Sequence, residues 1–174
     1  MNSLELIGEA FRHMEWADAR VWTAVLAADG AAADADILER LRHLHTTQLG
    51  FVSSWLGRPF DRDATKGLDL PGLARLCRGV NADAAGYAAQ VREADLDAVH
   101  VLPWAAFVSK RMGREVAPST LRETMLQCAM HSHYHRAQVN TRLKQVGGTP
   151  PPVDFIAWVW ANKPRPDWSA VGPA

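Results

Sequence analysis

The sequence predicts an all-α protein, a four-helix bundle with a short C-terminal helix and a tail. Three observations carry that prediction. Apolar residues recur at three- and four-residue spacing along four long segments. Stretches rich in glycine and proline separate those segments. Strand-like alternation is almost absent, which sets aside an α/β architecture. The 174 residues fit one domain and can bury a core without staples. The bundle is expected over residues 1–162 and the tail over 163–174.

The first helix is expected from about Leu4 to Ala28, where Leu4, Ile7, Phe11, Met14, Val21 and Val25 form a stripe that only Asp18 interrupts. The second runs from about Asp36 to Leu56, with Ile37, Leu41, Leu44, Phe51 and Trp55 on one face. "GRPFDRDATKGLDLPG" then breaks the pattern. A third helix starts near Pro71, a good first helical residue, and is weakened by Gly79 and Gly86. "FVSKRMGREV" reads as a β-like patch, a small hairpin or an ordered loop. The fourth helix opens with a capping box, Thr120 and Glu123, with Ser119 as the competing cap, and ends at Gly147 or Gly148. "VDFIAWVWA" forms a short fifth helix before the tail.

Lys plus Arg equals Asp plus Glu, and a formal net charge of zero argues against a nucleic-acid partner. The basic "SKRMGRE" is read as solvated surface. No uncharged apolar window reaches membrane-spanning length, and the N-terminus has no signal-peptide core, so the expectation is a cytoplasmic protein without a membrane partner. Cys77 and Cys128 lie on apolar helix faces and are read as buried free thiols. Seven tryptophans exceed what one small core is expected to need, so some should line a pocket or an interface, or cap the open end of the bundle.

Five of the seven histidines fall on two helices, as "LRHLHTTQ" and "CAMHSHYHRAQVN". On the fourth helix the core stripe is read as Leu121, Met125, Cys128, Ser132, His135, Val139, Leu143 and Val146, with His131 at its edge. His131 and His135 are one turn apart, and imidazoles at that spacing can share a metal ion. His133 points roughly 160–200° away from both. The pair lacks the glutamate of "HExxH", so a zincin-type protease is unsupported. Bundle cores collect ligands from facing helices, which brings His43 and His45 into play. The helical wheel alone favours His45, which lies about 40° from Leu41. Cys128, three residues before His131, packs or supplies a fourth ligand.

With these residues in hand, the chain resembles the DinB-like superfamily, the DinB and YfiT-type metal-dependent proteins. "MHSHYHRAQV" is similar to the family segment "NHxxHHRGQ", with Arg136 and Gln138 matching, Ala137 in place of the usual glycine and Met130 in place of the common asparagine. "HLHTTQLGFVSSWLG" follows the family's second helix when His43 is the first histidine, because Leu44, Gln48 and Phe51 then fall into place. "HMEWADARVW" is similar to the family opening "YNxWANxRL", and the resemblance spans about 1–160. It implies a four-helix bundle with a divalent metal on His43, His131 and His135. His45 is held as the alternative to His43.

Three neutral imidazoles suit zinc, nickel or another divalent first-row metal, with a coordination position left open. By resemblance, the chain is expected to be a metal-dependent thiol S-transferase or hydrolase acting on a small molecule, with a low-molecular-weight thiol as co-substrate, and to form a homodimer. The alternative is a non-catalytic metal- or small-ligand-binding bundle of a stress response. A purely structural bundle is the third reading. The sequence shows no general base beside the histidines. Gln48 is a candidate to orient a ligand histidine or a bound water. Tyr134 is read as a packing or subunit-contact residue, and Arg136 as a surface group or a support behind the ligands.

Overall fold

The computed structural model describes residues 2–172. The last two residues of the expected tail, Pro173 and Ala174, lie outside the described residues. Four long helices build the core: α1 (Ser3–Leu26), α3 (Ala35–Trp55), α4 (Leu70–Ala88) and α6 (Leu121–Gln145). Three short ones accompany them: α2 (Asp29–Ala32), α5 (Ala105–Met112) and α7 (Phe155–Trp160). Each long helix packs on two others, α1 on α4 and α6, and α3 on α4 and α6, so the four close into a ring.

Helix starts follow local chemistry. Asn2 with Glu5 and Thr120 with Glu123 form capping boxes at α1 and α6. Ser119 does not cap; its hydroxyl donates to the His100 carbonyl. Asp34 and Asp69 accept backbone N–H groups at the starts of α3 and α4. Pro71 sits one residue inside α4, where the lack of an N–H costs nothing. Gly57 and Gly147 take left-handed backbone conformations just past α3 and α6.

The expected β-like patch is a correction. Residues 105–112 form α5, which ends on the left-handed Gly113. Trp104, Phe107 and Val108 lie three and four residues apart and line one pocket. Lys110 and Arg111 in the last turn and the left-handed Gly113 suit a helix end, so helical spacing and a local cap win over the weak strand propensity of the segment. Among the described residues the only bridge pairing is an isolated antiparallel one between Val99 and Thr120.

The core falls into two apolar clusters, one around Trp22, Leu41, Leu73 and Leu143, the other around Phe11, Trp55, Met125 and Cys128. Five tryptophans are buried in them (Trp16, Trp22, Trp55, Trp158 and Trp168), so the core accommodates more than composition alone suggests. Trp104 is half-buried beside a pocket, while Trp160 is 80% exposed. Within the expected tail, Trp168 and Val171 pack against the first cluster, and the Trp168 indole N–H donates to Glu15. Both cysteines are buried and free. No helix among the described residues is long and apolar enough to cross a membrane.

Candidate metal centre

Between the apolar clusters lies a fully buried polar network. Asp18 and Arg136 form an ion pair at 2.8 Å, with side chains 0% and 1% exposed. The other Asp18 oxygen accepts from Gln48 Nε2 at 2.8 Å and from Asn81 Nδ2 at 3.1 Å. Gln48 Nε2 also donates to Ser132 Oγ. Burial acts against the Asp18 charge, but the Arg136 guanidinium and the Gln48 hydrogen bond hold its carboxyl below the ordinary value. Arg136 is therefore a buried partner of Asp18 and not a surface group. The inward stripe of α6 runs through Ser132, Arg136 and Val139, not through His135 as the apolar spacing suggests, because Asp18 draws the guanidinium inside.

His45 belongs to this network. Its Nδ1–H donates to Gln48 Oε1 at 2.7 Å, and its Nε2 accepts from the Trp22 indole at 3.1 Å. Burial, opposed by Asp18, pushes its pKa below the usual histidine range, so it is neutral with both nitrogens in use. Asp18, His45 and Cys77 lie close enough together to hold a metal ion. However, the aspartate is already paired with Arg136, the imidazole is doubly bonded, and burial with the Asp18 charge pushes the Cys77 thiol well up. These three side chains are committed to the core.

Off the inward stripe, a different cluster forms. His43 on α3 and His131 and His135 on α6 place ring nitrogens within 4.8 Å of one another. Ring centroids are 4.2 Å apart for His131 and His135, 4.4 Å for His43 and His135, and 5.4 Å for His43 and His131. His43 is exposed and the other two are half-buried, so the cluster opens outward along the seam between α3 and α6. The two helices pack extensively on each other, which fixes the seam. His133 is exposed and outside the cluster.

The donor set fits a divalent cation. His131 Nδ1 is buried without a hydrogen-bond partner among the described residues, a costly state for an imidazole unless a ligand satisfies it. Burial first, then the neighbouring His135 and His43, bring the His131 pKa down to about 4. A neutral ring offers lone pairs rather than repulsion. His135 Nδ1–H donates to Gln138 Oε1 at 2.8 Å, which fixes the tautomer and leaves Nε2 free. Zinc holds imidazole nitrogens at about 2.0–2.1 Å, and the three rings here each offer a nitrogen within 4.8 Å of the others.

Gln48 does not orient this cluster: its amide is spent on His45, Asp18 and Ser132. Gln138 does so instead, a role that the i, i+3 spacing from His135 signals in the sequence. Cys128 is buried in the second apolar cluster, with burial and the Asp18 charge lifting its thiol well above the ordinary range. Packing is its role. Tyr134 stands edge-on to the His135 ring at 5.0 Å and is largely exposed. Next to His43 a pocket of about 550 Å³ opens, walled by α3, by the loop carrying Phe60 and Arg62, and by α5.

A helical bundle that closes three imidazoles from two facing helices around one open point defines a protein able to hold a metal ion at a bundle seam. The chain belongs to the DinB family, whose model matches residues 1–167. No curated protein and no solved structure matches it.

Proposed function

We propose that the protein is a divalent-metal-dependent enzyme, a thiol S-transferase or a hydrolase, with zinc or nickel held by His43, His131 and His135. The observation that carries this reading is the convergence of three imidazoles, one with an unsatisfied buried nitrogen, of which His43 also lines a pocket of small-molecule size. When bound, the metal supplies a Lewis-acid position that ionises a water or a thiol near neutral pH. The chain's own residues do the rest. Gln138 holds His135 in the tautomer that presents Nε2. Burial keeps His131 uncharged. His43 belongs both to the cluster and to the pocket lining, so a molecule lying there is adjacent to the cluster.

Elemental analysis of untagged protein beside His43→Ala, His131→Ala and His45→Ala tests the site. The expected result is about one metal per chain, lost in the first two variants and kept in the third. Metal retained in His43→Ala but lost in His45→Ala would return the third ligand to the core histidine. No metal after reconstitution with zinc or nickel would remove the reading. Metal-loaded protein that turns over no thiol or ester substrate would leave a metal-binding bundle. A homodimer is also proposed, supported by the exposed Met130 and Tyr134 on α6 and Ile156 and Trp160 on α7. Sedimentation showing a monomer at micromolar concentration would remove it.

A further inference from the structure

The pocket beside His43 has a chemical character of its own. Three aromatic rings wall it: Phe60, Trp104 and Phe107. Trp104 is held from below by Phe51, edge to face at 5.1 Å, and from the side by Phe60 at 5.8 Å, so its ring is a fixed wall. Gly50 on α3 makes that wall possible, because a Cβ there would lie 3.2 Å from the Trp104 ring and 3.3 Å from Phe60. Phe107 also lines the pocket and is 60% exposed, so its ring is open to a ligand.

One cation lines this aromatic slot. Arg62 is exposed and, among the described residues, makes no ion pair and no hydrogen bond. The Asp61 carboxylate beside it in sequence instead accepts the Asp63 N–H at 2.8 Å within its own turn. A fork of donors with nothing to bind, at the edge of an aromatic slot, is matched to a planar anion such as a carboxylate.

We propose that this pocket is the substrate subsite for a small aromatic carboxylate, its ring between Trp104 and Phe107 and its carboxylate on Arg62. The inference rests on the metal-enzyme reading only in calling the ligand a substrate. Binding itself is a property of the pocket. The volume of about 550 Å³ holds a one- or two-ring molecule, and His43, a member of the histidine cluster, lines the same pocket.

Calorimetric titration of zinc-loaded protein with 2-naphthoate and with the neutral 2-naphthamide tests it. The carboxylate should bind roughly tenfold more tightly than the amide, the worth of one charge-assisted contact. Arg62→Gln should abolish that preference, Arg62→Lys should restore part of it, and Phe107→Ala should weaken both probes. The same preference in His131→Ala protein would support the subsite even if the metal reading fails. A preference that survives Arg62→Gln and vanishes in His131→Ala would assign the carboxylate to the metal and overturn the subsite while upholding the metal. Equal binding of the two probes, or binding of neither, would also overturn it.

Discussion

Replacing Arg136 with methionine removes one half of a buried ion pair and leaves the other half in place. Asp18 is 0% exposed on its side chain and would keep only the amide donors of Gln48 and Asn81 and a distant thiol contact from Cys77 at 3.9 Å. Breaking a buried pair on one side costs about 3–5 kcal/mol, a large share of the roughly 5–15 kcal/mol that holds a typical domain folded. Urea denaturation followed by circular dichroism at pH 7 should therefore show Arg136→Met destabilised by about that amount. Asp18→Asn with Arg136→Met should recover much of the loss, since no charge is then stranded. The pH dependence has a definite sign. The folded wild-type Asp18 carboxyl lies below its unfolded value, so its contribution is complete above about pH 4 and is lost as pH falls through the folded value. In Arg136→Met burial acts with less opposition, the carboxyl rises, and the aspartate protonates on acidification. The penalty should consequently shrink as pH drops. A loss under about 1 kcal/mol for the single variant, or a double variant no better than it, would refute the account of Asp18 as a charge held in the core by Arg136.

Gln138→Ala should weaken zinc affinity by about 10–100-fold, measured by competition with a chromophoric chelator, because His135 loses the partner that fixes its tautomer; unchanged affinity would remove that role. Gly86 is exposed within α4, and a methyl group added there would meet nothing within 4 Å, so Gly86→Ala should raise stability by about 0.5–1 kcal/mol, and a loss would show strain not visible in the packing. Gly148→Ala should act oppositely, costing about 1–3 kcal/mol in a thermal melt, since its Cβ would overlap the buried Leu143 side chain.

The parts legible in the sequence are those that depend on neighbours along the chain. Thr120 and Glu123 announce the start of α6 because the capping box is closed within four residues. His131 and His135 announce a pair because one helical turn brings them together whatever surrounds them. The choice between His43 and His45 was not legible from the helical wheel. The wheel correctly turned His45 inward, where it is 1% exposed, but the cluster does not lie on the inward face. It lies on the seam where α3 meets α6, and only the packing of those helices decides which side residues meet there. The same holds for Asp18, an interruption in an apolar stripe until Arg136, Gln48 and Asn81 from three other helices converge on it. Sequence alone determined the four long helices, the cap that opens α6 and the two-histidine turn, since each is set by contacts over a few residues. The meeting of His43, which the family resemblance favours, with that turn belongs to the tertiary structure, as do the buried ion pair and the pocket, since each needs groups from separate helices or loops to meet in space.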